Sequence, residues 1–359
     1  PMAETKSTPR QCVLQALAHQ QPEICPYSLE LGLELRRRLA SCTSDPAFGS
    51  DLERYLVGVG PSYPESNLRV DDTHYEDSFG VVWEDSFPGE IGMVRQPILG
   101  EPSLAGYTFP PTQVAGLFDD LPAQLAEHAD RFTLWSLGFS LFERAWTLRG
   151  MEAFLMDMVE RPAFADELLD RICEFNLALI EQACRHPIDG VRFGDDWGAQ
   201  QGLIMGPHLW RRFIKPRFAR MVAAVTGHGK ASFLHSDGDV REIIPDLIDM
   251  GLTILNPVQP DVMDIYEIKR EFGGDLTFCG GVSVQQLLPH GSTDQVRAEV
   301  RRLLRELGSG GGLIIAPTHS LGRDIPLANL AVLVQEFTRQ TQDRPSIPGH
   351  GSAPARSIQ

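Results

Sequence analysis

The sequence predicts an α/β fold: a (β/α)8 TIM barrel with an N-terminal hairpin insertion over its C-terminal face. Three observations carry that expectation. From about residue 130, short apolar, β-prone runs alternate with longer segments of helical period. Repetition of this kind builds a parallel sheet covered by helices, and six or more units in one chain fit a barrel better than two open sheets. The runs also end, again and again, in polar residues of the type that ligate metals or bind substrates, which is where a barrel keeps its chemistry.

Taken in order, PEICPY (22–27) is the candidate first strand. The stretch NLRVDDTHYEDSFGVVWEDSFPGEIGMVRQPILG (67–100) has short polar–apolar alternation broken by glycines and reads as antiparallel hairpin material over the barrel mouth. The main runs follow: FTLWSLG (132–138), GVRFGDD (190–196), ASFLHSD (231–237), LTILNPV (252–258), LTFCGGV (276–282) and LIIAPTH (313–319). Helical segments lie between them. The best punctuated is Ser292–Gly308, which opens with an S-x-x-Q capping signal and stops at a glycine. It places Val296, Val300, Leu303, Leu304 and Leu307 on one face. Residues 1–340 read as a single domain, and 341–359, rich in Pro, Gly and Ser, as a disordered tail.

Composition narrows the function. The 359 residues carry 48 acidic against 32 basic side chains, a net charge of −16, which argues against binding nucleic acid phosphates or an anionic membrane surface. No apolar run is long enough to span a bilayer, and the polar start PMAETKSTPRQ lacks a signal-peptide core. The six cysteines are scattered without a C-x-x-C pair, as expected of a reduced cytoplasmic protein.

The strand ends carry the unusual residues. His235 and Asp237 stand two apart, so on an extended segment both point to one face. His319, at the end of the last run, is the natural third ligand, and the set His235, Asp237, His319 leaves an open coordination position, as a catalytic zinc site needs. The plainer alternative is a satisfied strand-end histidine beside an aspartate that caps the next helix. Asp195 and Asp196 are adjacent and point opposite ways; one capping role and one catalytic role is the expected division, with acid–base work requiring one carboxyl to be held protonated. Asn256 and Gln259 are candidate substrate-binding amides, against the alternative that they tie loops together.

Cys279 is a lesser candidate ligand, since a buried strand cysteine is more often a small hydrophobe. Trp135, Phe139 and Trp197 lie at or just beyond strand ends and would wall an apolar substrate, with core packing as the default for each. The GSGGG run (308–312) precedes a strand rather than following one, so helix termination explains it better than phosphate binding. Arg36, Arg37 and Arg38 read as a solvated helix face. No G-x-S-x-G, P-loop or H-E-x-x-H pattern occurs.

These strand ends, in this order, resemble the uroporphyrinogen decarboxylase superfamily from about residue 8 to 338. The resemblance is strongest in DDWGAQQGLIMGPHLWRRFIKPR (195–217), HSDGDVREIIPDLIDMGLTILNPVQ (235–259), FCGGVSVQQLLPHGS (278–292) and IIAPTHS (314–320). It implies a TIM barrel with a deep pocket at the C-terminal strand ends. It also implies one of two enzyme kinds: cofactor-free decarboxylases of uroporphyrinogen, or zinc-dependent methyltransferases that work with corrinoid proteins. The decarboxylases carry an R-Q-A-G-R segment; the matching region here is ERYLVGVGPSYPE (53–65), and an octa-anionic substrate would be poorly neutralised. The methyltransferase branch typically shows His-x-Cys and a later Cys, where this chain has His235-x-Asp237 and His319.

The resemblance therefore implies metal-assisted methyl transfer between a small substrate and a corrinoid, on a partner protein or free, with zinc as metal and a homodimer as assembly. The harder His/Asp/His set favours Lewis-acid activation of an oxygen over thiolate activation. Two alternatives stand beside it: a metal-free carboxy-lyase using His235 and Asp237 as an acid–base pair, and a non-catalytic ligand-binding barrel.

Overall fold

The computed structural model describes residues 7–29, 31, 33–41, 52, 54–63, 68–84 and 92–340. The tail expected at 341–359, and residues 67 and 85–91 of the expected hairpin stretch, lie outside the described residues. Thirteen strands are present among those described: β1 (Leu56–Val59), β2 (Leu68–Arg69), β3 (His74–Glu76), β4 (Val82–Glu84), β5 (Met93–Gln96), β6 (Phe132–Phe139), β7 (Gly190–Gly194), β8 (Gly198–Ala199), β9 (Gly202–Leu203), β10 (Ala231–His235), β11 (Ile254–Val258), β12 (Thr277–Val282) and β13 (Leu313–Pro317).

Seven of them form one curled, wholly parallel sheet in the order β1-β6-β7-β10-β11-β12-β13. All six apolar runs from the sequence became strands of this sheet, and neighbours in the sheet follow chain order. Helices connect them: Pro162–Ala183 before β7, Lys215–Gly227 before β10, Ile265–Phe272 before β12 and Thr293–Glu306 before β13. The result is an α/β architecture consistent with a TIM-like barrel. Segment 22–27 contributes a single bridge, Tyr27 beside Ile315 of β13, framed by Ser28 N–H to Ile315 O (3.0 Å) and Ile315 N–H to Pro26 O (2.9 Å). Pro22 and Pro26 lack the N–H groups that a longer ladder would need.

The two faces of the sheet separate by residue parity. On β7, Val191 and Phe193 are fully buried, and Phe193 meets Phe218 of the helix Lys215–Gly227 edge-on at 5.3 Å. Gly190, Arg192 and Gly194 share the other face, where Arg192 lies over the Phe233 ring of β10 at 5.4 Å. His235 has the parity of Phe233, and so faces away from that helix layer.

Local chemistry sets the helices. Thr293–Glu306 begins at the expected capping box, with Ser292 Oγ accepting from Gln295 N–H (3.3 Å) and Gln295 Oε1 from Ser292 N–H (2.8 Å), and it buries Val296, Val300 and Leu303. A π turn, Trp210–Ile214, precedes Lys215–Gly227, and Lys215 N–H bonds back to Trp210 O. Pro216, with no N–H, cannot continue the regular ladder at that point. The glycine run ends as a helix stop: Gly310, Gly311 and Gly312 all have positive φ, and a Cβ on Gly311 would lie 2.5 Å from Gln20 O.

The antiparallel sheet β2-β3-β4-β5 occupies the stretch expected to form hairpins. Asp77 organises its turn by accepting from Phe79 N–H (2.9 Å), Val81 N–H (3.0 Å) and Trp83 Nε1–H (3.1 Å). Trp83 stacks on Phe139 at the C-terminal end of β6 (5.6 Å, 22°). No helix among the described residues is long and apolar enough to cross a membrane.

Candidate metal centre

The site starts from the backbone at the end of β10. Asp195 N–H bonds His235 O (3.0 Å) on one side and Ser236 N–H bonds Asn256 O (2.7 Å) on the other, so the strand stays in register right up to the His-Ser-Asp corner. The corner is then fixed by close contact. Gly238 has φ +83°, and a Cβ there would lie 2.3 Å from Gly198 C; one on Gly198 would lie 2.4 Å from Asp237 O. Only two glycines let these backbones cross.

On this frame His235 and Asp237 point to one side, as their spacing predicts, and His319 joins them from just beyond β13. His235 Nε2 lies 3.9 Å from Asp237 Oδ1, and His319 Nε2 lies 3.9 Å from Asp237 Oδ2. The two imidazole rings are 6.2 Å apart at 54°. One donor atom from each residue falls within 4.8 Å of the others. Burial pushes the Asp237 carboxyl above its ordinary range; His235 pulls it back, Asp196 adds to the rise and His319 again opposes it.

The donor set fits a divalent cation. A separation of 3.9 Å is too long for a hydrogen bond, yet close to the roughly 3.3 Å between two ligands on one tetrahedral zinc, so a small contraction would close the set. Two imidazoles and one carboxylate suit zinc and its first-row neighbours. His319 is more than half exposed, which leaves the outer side open to solvent or substrate.

The other expected site residues take different places. Asn256 and Gln259 are brought to the site but are engaged with His235 and Asp237. Asn256 Oδ1 meets His235 Nδ1 at 2.7 Å and its Nδ2 donates to Cys279 O at 3.2 Å. Gln259 accepts from Gly238 N–H (2.7 Å) and its Nε2 approaches Asp237 Oδ1 (3.4 Å). Asp196 braces the corner by accepting from Asp237 N–H at 2.9 Å.

Asp195 takes the capping role. It is completely buried and accepts from Leu141, Phe142 and Glu143 N–H (3.2, 3.0 and 2.7 Å) at the start of the helix Phe142–Arg149, and from Trp197 Nε1–H (2.8 Å). Burial pushes its carboxyl up to about 6 against the pull of these four donors.

The tryptophans differ from the substrate walls expected. Trp135 is fully buried, with its ring against Gly60 and its N–H on Pro61 O (3.3 Å). Trp197 is fully buried edge-on to Trp210 and Phe218. The chain itself covers both rings, so neither offers a face to a ligand. Cys279 is buried and is not among the three convergent ligands.

Sequence reasoning passed over Ser236, Gly198 and Gly238. Ser236 is fully buried and its Oγ accepts from Trp197 N–H (2.9 Å), joining the two strand-end motifs. The available signal was that both motifs, DWG (196–198) and SDG (236–238), close on a glycine.

Comparison with known proteins bears on this geometry. The sequence matches the uroporphyrinogen decarboxylase (URO-D) family over residues 125–340. A methyltransferase from Methanosarcina mazei superimposes with a TM-score of 0.67 at 18% sequence identity, over 93% of this chain and 99% of that one, a likeness of fold. A GH18 chitinase, ChiB, from the chitin utilization locus of Flavobacterium johnsoniae reaches a TM-score of only 0.32 at 11% identity, over 62% of this chain and 80% of that one, too slight to carry an argument. No curated protein matches the chain.

Proposed function

Because this chain belongs to the uroporphyrinogen decarboxylase family, we propose that it is an enzyme of the methyltransferase-like branch, performing metal-assisted methyl transfer between a small substrate and a corrinoid or other carrier. The observation that carries the reading is the convergence of His235, Asp237 and His319 from two strand ends, each within ligand distance of the others. The methyltransferase likeness of the M. mazei fold agrees with it. Zinc held there would polarise a heteroatom of the substrate as a Lewis acid.

The chain's own residues do the rest. His235 and His319 supply imidazole nitrogens to the two oxygens' side of Asp237, which supplies the charge. Asp196 is half-buried beside the corner and, unlike Asp195, is not spent on a helix end; it is the carboxylate left to position substrate or carry a proton. The exposed side of His319 is the side from which a substrate and a corrinoid, free or protein-bound, would approach.

The same reading takes residues 1–340 as one (β/α)8 domain with Tyr27 marking the first strand, beside the last, supported by the Ile315 bridge. It takes the antiparallel sheet as a cover for the C-terminal face, supported by the Trp83–Phe139 stack. It further takes the protein as a cytoplasmic homodimer that binds neither nucleic acid nor an anionic membrane surface, and the net charge of −16 supports the last two points.

The test is metal content by elemental mass spectrometry on untagged protein purified without chelators, beside His235→Ala and His319→Ala, followed by corrinoid methylation assays. Near-stoichiometric zinc, lost with turnover in both variants while the fold persists, is expected. Full activity in His235→Ala would rule the mechanism out. Cofactor-free release of carbon dioxide by metal-free protein would replace it with the carboxy-lyase.

A further inference from the structure

We propose that Asn256 is a positioning residue that fixes the His235 imidazole with its proton on Nδ1 and its lone pair on Nε2. The inference rests on the metal reading for its purpose, but its structural core does not. The argument begins at the far end of the Asn256 side chain. Nδ2 lies 3.2 Å from the Cys279 carbonyl, an oxygen that can only accept. A reversed amide would set two acceptors against each other, so Nδ2 must be the group on that side and Oδ1 the group on the other.

Oδ1 meets His235 Nδ1 at 2.7 Å. An amide oxygen can only accept, so the ring must donate from Nδ1. A neutral imidazole carries one proton, and its other nitrogen, Nε2, is then left with the lone pair. Nε2 is the atom that faces Asp237 Oδ1 at 3.9 Å. The Cys279 carbonyl thus sets the amide, the amide sets the ring, and the ring presents a metal-binding lone pair to the cluster.

Three further observations support the role. Asn256 stands directly opposite His235 in the β10–β11 register, so its side chain leaves the sheet beside the imidazole. It is 8% exposed, with both ends of its amide already bonded, which leaves it unsuited to binding a substrate. Gln259, three residues on, holds the neighbouring ligand in the same manner, spanning Gly238 N–H and Asp237 Oδ1.

The experiment uses full-length protein labelled with ¹⁵N-histidine, read by NMR above the imidazole titration range, with the His235 signals assigned by their loss in His235→Ala. Wild type is expected to show His235 protonated on Nδ1. Asn256→Leu is expected to lose that preference, and its zinc affinity by chelator competition to fall roughly 10–100-fold. Asn256→Asp keeps an acceptor for Nδ1–H and is expected to retain the Nδ1 proton, while the oxygen it sets against the Cys279 carbonyl lowers stability in urea denaturation.

A wild-type His235 protonated on Nε2 overturns the inference even if Asn256→Leu fails to fold. So does an Asn256→Leu protein whose tautomer is unmoved, or one whose tautomer moves while a measurable wild-type zinc affinity stays unchanged. A wild type locked on Nδ1, released in Asn256→Leu, but with no affinity for zinc in either form, supports the tautomer lock and removes the metal reading instead.

Discussion

Asp195 and Asp196 are neighbours of one type with different work. Asp195 turns into the protein and receives four donors at a helix start, while Asp196 turns back to hold the Asp237 corner. Asp195→Asn would aim amide hydrogens at that ring of N–H groups and should cost about 1–3 kcal/mol in urea denaturation. The pH dependence should also change. With the folded carboxyl raised to about 6 from 3.8, the folded chain holds a proton that the unfolded chain releases. Stability from this group is therefore present at low pH and lost as pH rises between those values. Melting curves taken across that window should show the falling component in wild type and not in Asp195→Asn. At the corner itself, Gly238→Ala would demand φ +83° of an alanine and drive its Cβ into the Gly198 backbone. It should destabilise by roughly 1–3 kcal/mol, as calorimetry would show, and, if the proposed zinc is held there, weaken its binding by shifting Asp237, as chelator competition would show.

At the level of elements, the sequence was most readable where one residue does one local job. The Ser292 and Gln295 capping pair was plain in the sequence because its partners lie three residues apart. Ser292→Ala should cost about 1 kcal/mol, measurable in denaturant titration, with no effect on metal content. The parallel strands were also readable as apolar runs, but which way their side chains face was not. All five residues of β11 are buried, so no alternation marks the side that looks toward the site. Trp135 lies within β6 and Trp197 just after β7, and both rings sit in the packed interior, the default for each, rather than on a substrate wall. Segment 22–27, expected as the first strand, makes only one bridge, to Ile315 of the last strand, because its prolines lack the N–H groups of a longer ladder.

For the whole molecule, the antiparallel sheet is joined to the α/β body by a buried ion pair. Asp77 Oδ2 and Arg144 Nη1 are 2.7 Å apart, both side chains are 1% exposed, and the Arg144 guanidinium also lies 4.1 Å over Phe79. Removing the carboxylate leaves a charge deep in the protein, so Asp77→Ala should cost about 3–5 kcal/mol and loosen β2–β5 before the parallel sheet. Hydrogen exchange, followed strand by strand, would detect that order; uniform loss of protection would speak against it.

The sequence by itself determined the class of fold, the order of the strands and three residues, His235, Asp237 and His319, whose side chains the fold brings together. Those follow from local patterns: apolar runs of strand length, caps and stops, and an i, i+2 spacing that any extended chain converts into a shared face. Tertiary structure alone decided how the remaining polar residues divide their labour. Whether Asp195 or Asp196 would cap a helix, and whether Asn256 would meet a substrate or His235, depended on groups from other strands and helices. Such partners are brought together by sheet register and helix packing, long-range terms that no stretch of neighbouring residues encodes alone.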